Sequence, residues 1–173
     1  MTVTFEELRV LQAAEKIADG LWPELVGWDP FARDTIGKQL ARAADSIGAN
    51  IAEAYGRYHY GEKLRFLYYA RGSLYETKYW LNRARVRHII SNDSALAYAN
   101  DLSSLAFQLN TFAKATKTQK SAASSTKNTL REASPTYQIN TPHAENTNQF
   151  IHNEKSKLFT PKEITNLKTF PTT

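Results

Sequence analysis

Apolar residues recur every three or four positions along four stretches of the first 115 residues, namely 8–25, 36–54, 66–84 and 96–113. This spacing places the apolar side chains of each stretch on one face of an α-helix. No stretch shows the strict alternation that is typical of a half-buried strand. Because the connections between the stretches are short, consecutive helices should pack antiparallel. The sequence therefore predicts an all-α fold, an antiparallel up-down four-helix bundle.

Local signals predict where the helices begin and end. Thr4 and Glu7 have the spacing of a capping box at the start of helix one, and Pro23 is expected to end or kink that helix near Trp22. Asp29 followed by Pro30 is a strong start signal for helix two.

Later signals complete the outline of the bundle. Helix two should stop near Gly56, and helix three is predicted over residues 60–90. The sequence "SNDS" at residues 91–94 predicts a break and a new N-cap for helix four.

The C-terminal third of the chain has a different composition. Residues 117–173 hold 25 Ser, Thr, Asn or Gln side chains in 57 positions, four of the six prolines and no glycine. Such a segment buries too little apolar surface to offset the entropy of ordering. The predicted organisation is a bundle domain over residues 1–116 and a disordered tail over 117–173. The tail could attract nucleic acid through its lysines, dock through short apolar motifs, or be an unselected extension.

Composition also limits the compartment and the chemistry. The chain has no cysteine, so disulfides and thiolate metal sites are excluded. The N-terminus lacks the pattern of a signal peptide, and the cytoplasm is the expected location. The four histidines form no metal-ligand pair, and no phosphate loop or nucleophile elbow is present. We therefore expect a non-enzymatic protein without metal or cofactor.

Positive charge is concentrated in one block. Residues 57–87 carry eight basic and two acidic side chains, a net charge of +6, whereas residues 1–56 carry a net charge of −4. Tyrosines are interleaved with the arginines of this block, a mixture that suits RNA or single-stranded DNA. The same face could equally be a subunit interface that meets the acidic helices of a neighbouring copy. The predicted nucleic-acid-binding residues are Arg57, Arg65, Arg71, Arg83, Arg85 and Arg87.

A second row of polar residues follows helices two and three at helical spacing. Ser and Asn are poor choices for a purely solvated helix face, because their side chains compete for backbone hydrogen bonds. A solvated face remains the plain alternative, but we expect this polar seam to join the two helices. The predicted members of the polar seam are Gln39, Arg42, Ser46, Asn50, Glu53, Ser73 and Glu76.

Three segments, "LRVLQAA", "IGKQLARAADSIGANIAEAYGR" and "FLYYARGSLYETKYWL", resemble the bacterial family of 23S rRNA intervening-sequence proteins. The resemblance covers about residues 5–115. Two positions depart from the family pattern: Ala54 stands where glycine is usual, and Asp45 where an apolar or small residue is usual. The matching positions are Gln39, Arg42, Ala43, Ser46, Ile47, Asn50, Ile51, Ala52, Glu53, Arg57, Phe66, Leu67, Ala70, Gly72, Ser73 and Glu76.

The resemblance implies a homo-oligomeric bundle, typically a ring-shaped pentamer, with nucleic acid as the expected ligand. A related set of basic bundles serves as accessory proteins of retroelement reverse transcriptases, so a nucleic-acid enzyme is a second expected partner. The family name does not imply a ribosomal function. The competing hypothesis is a ring-forming scaffold or adaptor that recruits protein partners without touching nucleic acid.

Overall fold

The computed structural model describes residues 4–128, with side chains described through residue 122. Helix α1 spans Arg9–Gly27, α3 spans Tyr60–Val86 and α4 spans Asn92–Asn128. We call the second helix α2; it has three segments, α-helical Pro30–Ala32, π-helical Arg33–Gly37 and α-helical Lys38–Gly56. The described residues contain no strand.

The four helices form a closed square. Each helix packs against the next one along the chain, and α4 packs back on α1. Short connections make the neighbours antiparallel, which confirms the predicted up-down four-helix bundle. Every helix contributes fully buried aliphatic side chains to one core. The largest of these are Ile17, Leu21, Leu40, Ile47, Ile51, Leu67, Leu74, Leu102, Leu105 and Leu109.

The start of α1 only partly follows the capping prediction. The backbone N–H of Thr4 donates to Glu7 Oε2 at 3.0 Å, which is one half of a capping box. The helix itself begins later, at Arg9. The side-chain amide of Gln12 donates to the Glu6 carbonyl at 2.7 Å and ties the preceding turn to the helix.

Of the two alternatives predicted for Pro23, the end of α1 near Trp22 is excluded, because the helix continues to Gly27. An interior proline costs about 3 kcal/mol. Leu21 and Leu25 are both buried on either side of it, and burial of each contributes about 1.5–3 kcal/mol, which offsets that cost.

A contact from α4 supports the same part of α1. The Tyr98 hydroxyl donates to the Gly20 carbonyl at 2.7 Å and lies 3.2 Å from Glu24 Oε1. Burial, followed by the charge of Glu24, raises the pKa of Tyr98 to about 12. Tyr98 therefore holds the last turns of α1 against α4 in its protonated form.

The start of α2 follows the sequence signals. Asp29 Oδ1 accepts hydrogen bonds from the backbone N–H of Phe31 at 2.9 Å and of Ala32 at 3.2 Å, with Pro30 in the first turn. The π-helical turn follows directly. It ends at Gly37, where an added Cβ would lie 3.5 Å from Trp28 Cε3, so the indole packs close to the helix backbone.

Helix α3 ends at Val86 and not near Ile90 as predicted. The N–H of Ile89 donates to the Ala84 carbonyl at 2.9 Å, and the N–H of His88 donates to the Arg85 carbonyl at 3.0 Å. This pair of bonds is a Schellman motif. It places His88 in the left-handed region with φ of 56°. Glycine is the usual residue at this position, and because histidine stands here instead, the sequence gave no signal for the end of the helix.

Helix α4 begins as predicted, with the Ser94 N–H donating to Ser91 Oγ at 3.0 Å. It continues to Asn128, so the predicted boundary between residues 116 and 117 falls within a helix. Residues 114–128 contain no glycine or proline that would end the helix, and Thr116 in this extension is still buried. The rest of the predicted tail lies outside the described residues.

Candidate nucleic-acid interface

Two side-chain contacts cross from α2 to α3 within the predicted polar seam. Asn50 Nδ2 donates to the Ser46 carbonyl at 2.7 Å and to Ser73 Oγ at 3.4 Å. Further along, Arg42 Nη2 lies 3.9 Å from Glu76 Oε1. Asn50 and Ser73 are half-buried, whereas Arg42 and Glu76 are exposed. The seam thus has one sheltered hydrogen bond and one ion pair at the surface.

The other seam contacts stay within α2. Arg42 Nη2 donates to Gln39 Oε1 at 2.6 Å, and Ser46 Oγ donates to the Arg42 carbonyl at 2.6 Å. Glu53 forms an ion pair with Arg57 one turn later. Side-chain contacts join α2 to α3 at Asn50, Ser73, Arg42 and Glu76, whereas three predicted seam residues bond to neighbours along their own segment: Gln39, Ser46 and Glu53.

Three arginines of α3 each lie over a tyrosine one turn away. The guanidinium carbon of Arg65 is 5.5 Å from the centre of the Tyr69 ring, that of Arg71 is 5.2 Å from Tyr75, and that of Arg83 is 5.7 Å from Tyr79. Such cation–π contacts contribute about 0.5–1 kcal/mol each at exposed sites. They favour these guanidinium positions only weakly, because the energy is close to thermal energy. We call this surface the Arg–Tyr face, defined by Arg65, Tyr69, Arg71, Tyr75, Tyr79 and Arg83.

The rings of the Arg–Tyr face are open to solvent. Tyr79 is 55% exposed, and Tyr69 and Tyr75 are 45% and 41% exposed. Gly72 lies in the middle of the face, and a Cβ added there would meet nothing within 4 Å. The face consequently presents aromatic surface, arginine side chains and open space at Gly72 along one helix.

The remaining predicted arginines have other surroundings. Arg57 is the C-cap of α2, and its guanidinium carbon lies 4.8 Å from the centre of the Phe66 ring, so it belongs to the α2–α3 junction. Arg85 donates to Asn82 Oδ1 at 3.1 and 3.3 Å. Arg87 is exposed at the C-cap of α3. The structure thus brings three of the six together with tyrosines and separates the other three.

Residues 6–111 match the model of the 23S rRNA-intervening sequence protein family. The chain belongs to this family. The match covers more than half of the chain, contains α1 to α3 completely and ends inside α4. No curated protein matches the chain.

Within the described part of this intervening-sequence protein, no helix is both long enough and apolar enough to cross a membrane. The same residues contain no group of three His, Cys, Asp or Glu side chains that could hold a metal ion.

Sequence reasoning named the arginines but missed their pairing. The pairing includes a direct hydrogen bond, since the Tyr69 hydroxyl accepts from Arg65 Nε at 2.6 Å. The signal was present in the sequence, since Arg and Tyr recur four residues apart at 65/69, 71/75 and 79/83. Side chains four residues apart on a helix are neighbours.

Proposed function

We propose that this protein is a non-enzymatic, homo-oligomeric bundle that binds single-stranded RNA or DNA through the Arg–Tyr face. The observation that supports this proposal is the set of three guanidinium groups, each positioned over an exposed tyrosine ring. Arginine pairs with phosphate in a bidentate manner, and tyrosine stacks on unpaired bases. Single strands are favoured over duplexes because only unpaired bases offer their faces for stacking.

Repetition of the face in an oligomer would strengthen binding. A single helix offers few phosphate contacts, and linked copies convert further contacts into intramolecular events. The homo-oligomer is an expectation from family membership, with the pentamer as its specific form. Light scattering on the full chain tests it; a monomer at micromolar concentration would remove the avidity from the proposal.

The second candidate is an adaptor that binds protein partners, including a reverse transcriptase or another nucleic-acid enzyme. Exposed apolar side chains favour it: Trp22 is 60% exposed on α1, and Phe31 is 78% exposed at the start of α2. Exposed aromatics are enriched at protein interfaces. These two side chains lie outside the Arg–Tyr face, so the two candidate functions predict that substitutions at different residues impair binding.

Fluorescence anisotropy with a labelled unstructured 20-nucleotide strand, as RNA and as DNA, tests the leading proposal over a salt series. The test variant carries Arg65→Gln, Arg71→Gln and Arg83→Gln. Its matched control loses three charges elsewhere, through Arg9→Gln, Arg33→Gln and Lys38→Gln.

Each lost phosphate contact lowers the slope of log affinity against log salt by about 0.7 for a single strand, so we expect the test variant to lose about two units of slope. The control should retain the slope of the unmodified chain. Absence of binding at low salt, or an equal loss in both variants, would overturn the proposal in favour of the adaptor.

A further inference from the structure

A groove of about 250 Å³ runs between α1 and α2, away from the Arg–Tyr face. Small side chains form its floor, and they leave space because α1 and α2 carry alanine and glycine where they face each other near the surface. Leu11 adds a larger apolar wall. The small floor residues are Ala14, Ala18, Ala44, Gly48, Ala49 and Ala52.

The rim of this groove is acidic. Glu15 and Asp19 project from α1 and Asp45 from α2, and all three are exposed. Among the described residues, none of these carboxylates takes part in an ion pair. Phe5 also lines the groove, with its ring centre 5.5 Å from that of Tyr55. We call this site the acidic groove.

The size and charge of the acidic groove indicate which kind of ligand fits it. Sites for small organic ligands usually measure about 300–1,000 Å³, so this groove is better suited to one or two side chains of a peptide. An apolar floor below three unpaired carboxylates favours a peptide that combines large apolar residues with lysines.

The chain carries such a peptide outside the described residues. Residues 155–170 read "KSKLFTPKEITNLKTF", with four lysines and one glutamate, a net charge of +3. The same segment holds large apolar residues at 158, 159, 164, 167 and 170. No other segment after residue 128 combines this density of lysine with this density of large apolar residues.

We infer that residues 155–170 dock in the acidic groove of their own chain. Their lysines pair with Glu15, Asp19 and Asp45, and their apolar side chains cover the alanine floor. The groove lies on the α1–α2 side, so this inference does not rest on nucleic-acid binding by the Arg–Tyr face.

The connection is long enough. Helix α4 ends at Asn128, and 26 residues separate it from residue 155. At about 3.3 Å per extended residue they span up to roughly 85 Å, whereas the 37 residues of α4 measure about 55 Å. Because the segment is tethered to the bundle, its effective concentration at the groove is up to about millimolar, and a weak interaction is enough to keep the groove occupied.

The absence of native cysteine allows a direct test in the full chain by cross-linking. The test protein carries Ala49→Cys in the groove and Asn166→Cys in the segment and is treated with a short bis-maleimide. The matched control pairs Asn166→Cys with Ala97→Cys, an exposed alanine on α4. Denaturing gels and peptide mass spectrometry separate intrachain from interchain products.

We expect the intrachain cross-link to form at least about tenfold faster at Ala49 than at Ala97, the ratio that corresponds to a docking preference of 1.4 kcal/mol. Adding Asp19→Lys and Asp45→Lys should remove this difference. Adding Glu62→Lys and Asp93→Lys, the same charge change elsewhere, should preserve it. Molar salt should reduce it in the chain with native charges, which keeps the charge test valid if the reversed variant fails to fold.

Three results would overturn the inference. Equal intrachain rates at Ala49 and Ala97 would mean that the segment has no preferred site. A dominant interchain product would assign the groove to a second copy. A rate difference that survives both charge reversal and molar salt would exclude pairing with the acidic rim.

Discussion

Asn50 on α2 and Ser73 on α3 are joined by a hydrogen bond of 3.4 Å from Asn50 Nδ2 to Ser73 Oγ. It is the sheltered contact of the polar seam, beside the closely packed apolar side chains of the same helix pair. The length of the bond indicates a modest energy, and its position between two helices gives it a role in their register. A partly buried polar contact between two helices forms only when both helices are in the correct register.

A double-mutant cycle measures this bond. Alanine at either position gains helix propensity, so each single change has a small net effect on stability. The cycle of Asn50→Ala, Ser73→Ala and the double variant cancels propensity and isolates the pair. We expect a coupling free energy of about 0.5 kcal/mol from urea unfolding. A coupling indistinguishable from zero would reduce the pair to a surface contact.

On the Arg–Tyr face, the contributions of ring stacking and of charge to single-strand affinity should differ in their dependence on salt concentration. Tyr79→Leu removes a ring but no charge, so we expect single-strand affinity to fall by about 1–3 kcal/mol per lost stack with an unchanged salt slope. Arg83→Gln should lower the slope by about 0.7. Anisotropy titrations at four salt concentrations check both. A changed slope in Tyr79→Leu would show that the ring acts by positioning Arg83.

Gly72 is expected to destabilise α3. It lies in the interior of the helix, with open space where a side chain would be. Gly72→Ala should raise the free energy of unfolding by about 0.5–1 kcal/mol, because alanine restricts the unfolded chain and favours the helix. Denaturant unfolding of the isolated protein gives this value. A loss of stability would mean that another surface approaches the backbone at this point.

The positive φ of His88 leads to a similar prediction with a different control. A non-glycine residue in the left-handed region costs about 1–2 kcal/mol relative to glycine, so His88→Gly should stabilise the fold by about 1 kcal/mol. His88→Ala retains the Cβ and should give no such gain. Thermal unfolding of the two variants side by side compares them, and equal melting temperatures would contradict the assignment of strain.

The raised pKa of Tyr98 predicts a loss of stability in alkali. The folded state favours the protonated phenol, so this contribution is complete below the unfolded pKa of 10 and is lost as the pH rises toward about 12. Tyr98→Phe removes the hydrogen bond and should cost about 1 kcal/mol at neutral pH. The difference between the two proteins should shrink from pH 9 to pH 12 in urea unfolding. A constant difference would exclude the ionisation.

The four helices could be predicted because burial of an apolar stripe decides whether a helix exists. Features that depend on tertiary contacts could not be predicted from the sequence. Pro23 remains inside α1 because buried leucines on both sides offset its cost. The end of α3 at Val86 depends on a Schellman motif formed without glycine. The extension of α4 to Asn128 runs through a segment rich in Ser and Thr, whose low helix propensity gave no sequence signal for it.

The features of the candidate site also differ in whether the sequence alone reveals them. Arg–Tyr pairs four residues apart are local and can be recognised in the sequence once helix α3 is assigned. The partner of Arg57 is Phe66, which depends on the path of the connection between α2 and α3. The acidic groove depends on how closely two helices approach, and the sequence shows only its alanines and carboxylates without the space between them.

The π-helical turn at Arg33–Gly37 changes the rotational phase of α2. One extra residue in a turn rotates everything beyond it by about 100° relative to a regular helix. Ala32 before the turn, Ile36 within it and Leu40 after it are all buried, so α2 keeps its apolar side toward the core on both sides of the turn. The rotational position of the later part of α2 therefore depends on the length of this turn: inserting or deleting one residue here would turn Arg42 and Asn50 away from α3 together.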